Sequence, residues 1–251
     1  MCLIWFSYRS HPGCRLLLAG NRDEFFARPT APLAWRDGIA AGWDEEGGGT
    51  WLGVNRLGHL AALTNYRDPA RQRQNPPSRG EIIPAYLRSG QTAAAFLRQF
   101  RNRAEGYNPF NLLVFDGEEM FFYASVSDHL EQVAAGEHAF SNGFFKVDWP
   151  KTRRVKELLP PLMASGDIDP ELFFAALRDR HQPADEELPT TGVSIGWERV
   201  LAPVFITSLI YGTRSSAVIA IKDDGQIDFY ERSYQHKKER LEITGDRHLR
   251  L

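Results

Sequence analysis

Three runs in this chain are apolar on both faces of the strand they would form: residues 2–6, 110–115 and 218–221. Side chains alternate along a strand, so a run with apolar positions on both faces needs cover on each side. Two sheets packed together, with helices outside them, meet that demand. The strand-like runs fall in three groups separated by two helical pairs, which predicts an α+β fold. No internal repeat and no break in composition appears, so residues 1–251 are expected to form a single domain.

Composition narrows the function. The chain carries 30 Lys and Arg against 32 Asp and Glu, a net charge of −2, so no global field recruits nucleic acid or an anionic membrane. Its 16 Phe residues argue for a packed core rather than disorder. No apolar run approaches the ~18 residues of a transmembrane segment. The N-terminus lacks the basic start of a signal peptide, and a cytoplasmic protein is expected. Zinc and haem-attachment spacings are absent, so neither a metal site nor a cofactor is expected.

The first two dozen residues read as a β-hairpin: Cys2-Leu3-Ile4-Trp5-Phe6, a turn at Ser10-His11-Pro12-Gly13, and Arg15-Leu16-Leu17-Leu18-Ala19. With Ser10 facing Gly13, equal steps outward set Cys2 opposite Asn21, give or take one residue. In a regular strand Asn21 and Asp23 then share a face with Cys2, while Arg22 points the other way. Cys14 stays near the turn, about 23 Å of strand away from Cys2, too far for a disulfide.

Downstream, the prolines of Arg28-Pro29-Thr30-Ala31-Pro32 exclude a helix and a central strand. Gly47-Gly48-Gly49 reads as a hairpin turn, since no phosphate-loop pattern surrounds it. Residues 67–79 form a loop with Arg67, Arg71, Arg73 and Arg79, either a solvated stretch or a rim that meets an anionic ligand group. Helices are predicted over 81–88, 93–102, 150–159 and 170–180, and strands over 110–115, 120–123, 137–141, 204–211, 216–221 and 227–232. A polar linker is expected over 182–189.

Cys is small enough for the initiator Met to be removed, which would leave Cys2 with a free α-amine. An amine with a pKa near 7.7–8.0 supplies a neutral fraction as general base, so such a nucleophile needs no catalytic His. Asp23 would orient the amine or thiol, an Arg would bind a carboxylate or lower the thiol pKa, and Asn side chains would donate to an oxyanion. The competing reading is a small buried hydrophobe.

Asn21-Arg22-Asp23-Glu24 followed by Arg28-Pro29 resembles the signature of the NRDE family, also called the transport and Golgi organisation protein 2 family. Gly48-Gly49-Thr50-Trp51-Leu52-Gly53-Val54-Asn55, Leu63-Thr64-Asn65, Arg79-Gly80-Glu81, Asn108-Pro109-Phe110-Asn111, Ser141-Asn142, Trp149-Pro150-Lys151 and Tyr211-Gly212-Thr213-Arg214-Ser215 extend the resemblance along nearly the whole chain. More distantly the chain resembles N-terminal-nucleophile hydrolases of the cholylglycine hydrolase and penicillin V acylase type. That resemblance implies a four-layer αββα sandwich, with Cys2 as nucleophile and Asp23 as its acid. It further implies Asn65 and Asn142 as oxyanion donors and Arg214 as an electrostatic support. It departs at one point: those hydrolases place an Arg three residues before the Asp, whereas here Arg22 immediately precedes Asp23.

Two functions follow as expectations. The first is an N-terminal-cysteine hydrolase of a linear amide or acyl bond. The second is a non-catalytic carrier of an amphipathic small molecule, haem or an acyl-CoA or acyl lipid, which the family resemblance implies. For either, Asn21, Arg22, Glu24, Arg28, Arg67 and Arg79 are the candidate ligand-binding residues. A structural protein with a residual site is the third reading.

Overall fold

The computed structural model describes residues 2–164, 166–237 and 240–251. These residues form two compact units, one running up to Ala27 and resuming at Ala135, the other spanning Arg28–Ala134. The chain opens with β1 (Cys2–His11) and β2 (Cys14–Phe25). The second unit then holds β3 (Thr30–Arg36), β4 (Ile39–Asp44), β5 (Leu52–Asn55), β6 (Leu60–Asn65), α1 (Ile82–Ser89), α2 (Ala93–Ala104), β7 (Phe110–Phe115), β8 (Met120–Ala124) and β9 (His129–Gln132). The first unit resumes with β10 (Gly136–Phe140), α3 (Pro150–Leu158), α4 (Pro170–Leu177), α5 (Ile195–Leu201), β11 (Tyr211–Lys222), β12 (Ile227–Lys237) and β13 (Arg240–Arg250). No helix among the described residues is long and apolar enough to cross a membrane.

In the first unit the antiparallel strands follow the order β10-β1-β2-β11-β12-β13. Leu3, Trp5, Leu17, Ala19 and Val218 form one face of this sheet, packed against Val155 of α3 and Phe173, Phe174 and Leu177 of α4. Ile4, Phe6, Leu16 and Leu18, on alternate positions, are equally closed to solvent. Each such side chain contributes roughly 1.5–3 kcal/mol of burial free energy. The helices begin where their caps dictate. Pro150 and Pro170 occupy first-turn positions, and the Asp169 carboxylate accepts the Glu171 N–H at 2.9 Å.

The second unit is a meander, β3-β4-β5-β6-β7-β8-β9, antiparallel throughout. Ile39, Ala61, Leu112 and Val114 pack against Tyr86 and Leu87 of α1 and Phe96 and Phe100 of α2. Leu60, Ala62, Leu113, Phe115 and Phe122, on the opposite pleat, are also fully buried. Thr92 caps α2, its hydroxyl accepting the Ala95 N–H at 3.3 Å, and Gly90 closes α1 in the left-handed conformation (φ 64°). β3, carrying Pro32, is an edge strand whose register shifts between Ala31 and Ala34, where a missing N–H does least harm.

The α+β class with two antiparallel sheets and helices is observed. Several local expectations differ. The strand expected over 204–211 does not form: up to residue 210 the segment makes only an isolated bridge, Thr207 to Gly212, with the Ile206 N–H spent on the Thr213 hydroxyl, and β11 begins at Tyr211. α5 follows the expected polar linker, started by the Ser194 hydroxyl over the Trp197 N–H. β13 is a further strand whose largely exposed, charged sequence carries no apolar alternation.

Candidate active site

The turn of the opening hairpin decides who meets Cys2. Pro12 and Gly13 are the two corner residues between His11 and Cys14, with Gly13 at φ 78°, as the second corner of a type II turn requires. Arg9 and Ser10 then stand opposite Arg15 alone, a bulge with Arg9 at φ 49°. Turn and bulge together shift the register by one, pairing Cys2 with Arg22 and Leu3 with Asn21. A one-residue shift exchanges the faces, which corrects the expected split. Arg22 shares the face of Cys2, and Asn21 lies on the face that α3 and α4 cover.

Asn21 is committed there to structure. Its Nδ2 donates to the carbonyls of Leu177 and Val204, both at 2.9 Å, and its Oδ1 accepts from the Ser216 hydroxyl at 2.6 Å. Gly20 beside it sits so close to β1 that a Cβ would come within 2.5 Å of the Leu3 carbonyl oxygen. On the other face Arg22 is 6% exposed and lies 3.9 Å from Glu24. Arg214 is the extra residue of a bulge in β11, between Thr213 opposite Asp23 and Ser215 opposite Arg22. Its guanidinium donates to the carbonyls of Phe25 (3.0 Å) and Phe26 (3.3 Å). Burial, and then Arg22, push it below the ordinary arginine range.

Asp23 is buried and ringed by donors. Its Oδ1 accepts the Thr213 hydroxyl at 2.7 Å, and that hydroxyl in turn accepts the Ile206 N–H at 2.9 Å. Lys151, on α3, reaches its Oδ2 at 3.8 Å with a side chain 1% exposed. Burial pushes the carboxyl up from its usual range, and Lys151 is the largest influence in the other direction. The Asp23 peptide N–H faces the sulfur of Cys2. Burial likewise pushes the Cys2 thiol up, with the Asp23 charge adding to the effect.

Asn142, fully buried, follows β10 on the other side of β1. Ser141 Oγ lies 2.8 Å from the Cys2 carbonyl oxygen and 3.0 Å from Asn142 Oδ1. Gly143 lies under the Trp149 indole, where a Cβ would approach to 2.7 Å. The Trp149-Pro150-Lys151 motif therefore has three jobs: it closes over the Asn142 segment, starts α3, and sends a cation to Asp23. That motif and Tyr211-Gly212-Thr213 stand out in the sequence, but no local pattern in it assigns Lys151 or Thr213 to the site.

The remaining candidates lie in the second unit. Asn65 ends β6. Arg28 is engaged by Asp44 at 2.7 Å and Glu46 at 3.2 Å, bracing the Asp44–Gly49 turn. Arg79 donates to the Pro109 carbonyl at 3.0 Å, and Arg67 is buried. Arg71 pairs with Asp68 (3.0 Å) and Arg73 with Glu105 (3.6 Å), so these loop arginines have carboxylate partners of their own. Gly49 and Gly80 meet backbone to backbone, with a Cβ on Gly49 falling 2.2 Å from the Gly80 carbonyl carbon. That contact explains why two separate glycine motifs occur together.

Residues 1–236 match the family described as Transport and Golgi organisation 2. The chain is 33% identical to the human Transport and Golgi organization protein 2 homolog over 94% of each chain, and 32% identical to the cattle (Bos taurus) homolog over 93% of each. Among solved structures it is similar to the C2A mutant of the conjugated bile acid hydrolase from Clostridium perfringens. That likeness has 10% identity and a TM-score of 0.49, covering 100% of this chain and 96% of the other. The strand carrying Asn21-Arg22-Asp23-Glu24 and the glycine and Trp-Pro-Lys motifs packed in the two units thus sit within one continuous match, and the chain belongs to the Transport and Golgi organisation 2 family.

Proposed function

We propose that the protein is a hydrolase of a linear amide or acyl bond with Cys2 as its nucleophile. One observation carries this reading: a buried thiol at the head of β1 has the Asp23 peptide N–H at its sulfur and the Ser141-Asn142 pair at its carbonyl. The sulfur would bond to the substrate carbonyl carbon while its proton passes to the α-amine left by removal of Met1. That processing step lies outside the described residues. Collapse of the tetrahedral adduct breaks the bond to the amine or alcohol, which leaves with the proton, and water then hydrolyses the thioester. Asn142 would donate to the oxyanion, and Arg22 and Arg214 would favour negative charge near the thiol.

The carrier of an amphipathic acyl or haem ligand is supported by a different observation. Burial pushes the Cys2 thiol up, and a protonated thiol is a poor nucleophile. An electrophilic acyl probe, with the adduct mapped by mass spectrometry, separates the two. Selective modification of a processed Cys2, with turnover of acyl amides or esters that Cys2→Ser abolishes, supports the hydrolase. Retained Met1 with an unmodified Cys2 rejects it, and tight retention of acyl-CoA or haem by that same protein supports the carrier.

A further inference from the structure

Lys151 occupies a position that two general rules disfavour. It is the second residue of α3, in the first turn, where the helix dipole repels a cation. Its side chain is also 1% exposed, so the ammonium is withdrawn from bulk water. Both penalties are tolerated beside a buried carboxylate, the Oδ2 of Asp23 at 3.8 Å. The other carboxylate oxygen faces a hydroxyl whose own acceptor side is taken by the Ile206 N–H, so the Thr213 proton points at Asp23. Donors therefore approach Asp23 from β11 and from α3.

We infer that Lys151 is a positioning residue for Cys2, holding Asp23 as a carboxylate on the helix-covered face so that its peptide N–H stays aimed at the Cys2 sulfur. The inference deepens the reading of Cys2 as a nucleophile and rests on it for its consequence, though not for its test. Other charged or titratable groups around the pair are Arg22 and Glu24 on β2, Arg214 on β11, and His236 on β12. The His236 Nε2 lies 2.9 Å from the Thr213 carbonyl oxygen. Burial pushes His236 below its ordinary range, so it is the neighbour to control for with His236→Gln.

The test follows the carboxyl directly, by 13C NMR of protein labelled at the aspartate side-chain carbons, with the Asp23 signal assigned from Asp23→Asn. In the native protein Asp23 should be ionised at neutral pH despite its burial, with Lys151 opposing the upward push. In Lys151→Met its midpoint should rise by at least about one pH unit, and Lys151→Arg should restore it. A protonated Asp23 in the native protein at neutral pH overturns the inference even if Lys151→Met does not fold. An unchanged midpoint in a folded Lys151→Met overturns it as well. If native Cys2 proves unreactive, the hydrolase reading fails while the carboxyl titration still decides the role of Lys151.

Discussion

At the scale of single residues, Thr213 relays one hydrogen bond into another, from the Ile206 N–H to the Asp23 carboxylate. Thr213→Val keeps the shape of the side chain and strips both partners of their bond in a site closed to water. The variant should lose about 1–3 kcal/mol of unfolding free energy, read from urea denaturation. The two cysteines should also differ. Burial, and then Asp223, push the Cys14 thiol up to about 11. Iodoacetamide should therefore leave Cys14 unmodified near neutral pH and reach it only as the pH approaches that value. Early labelling of Cys14 would contradict its place at the closed end of the hairpin. Cys2, Asp23, Asn142 and Arg214 are candidates from the sequence because each stands in a short motif. Lys151 and Thr213 were not, because their importance comes from a contact with Asp23 more than a hundred residues away in sequence, and no local pattern records it.

At the scale of elements, the hairpin shows how a small local feature governs a site. The run of apolar residues announces two strands but not which pairs with which. The Pro12-Gly13 corner and the bulge at Arg9 and Ser10 settle that, and with it the face that Arg22 and Asn21 occupy. β13 is unmarked in the sequence for the opposite reason: it is an edge strand, largely exposed and rich in charge, so the periodicity that marks buried strands is weak. Tight backbone approaches make the glycines of these elements testable. Gly20→Ala would drive a Cβ to 2.5 Å from the Leu3 carbonyl oxygen. It should cost about 1–3 kcal/mol and spread β1 from β2 beside Cys2, measurable as a lower midpoint of thermal unfolding. An alanine there without effect would mean that the two strands part freely.

At the scale of the whole molecule, acid sensitivity should trace largely to one carboxylate. Asp228 is 3% exposed and lies within 3.1 Å of donors on Lys222, Gln226, His248 and Arg250. Burial works to raise its pKa, but these hydrogen bonds outweigh burial and hold the group well below the usual carboxylate range. A depressed native pKa gives stability that is fully present above the unfolded value, near 3.9, and is lost as the pH falls below it toward the native value. Unfolding free energy should thus drop in that acid window. Asp228→Asn should lower stability at pH 7 by about 2 kcal/mol and flatten the acid decline. A variant with the same slope as the native protein would move the origin of that decline elsewhere.

The order of strands in the first sheet also sets a schedule. β2, near the start of the chain, pairs with β11, and the bond from Thr213 to Asp23 spans 190 residues. The second unit, by contrast, pairs each strand with the next in sequence. Loop closure of that length is slow relative to neighbour pairing. During synthesis the second unit can therefore fold on the ribosome while β1 and β2 still wait for their partner. Cys2 remains an ordinary accessible thiol through most of translation, and it acquires its surroundings only when the last strands emerge.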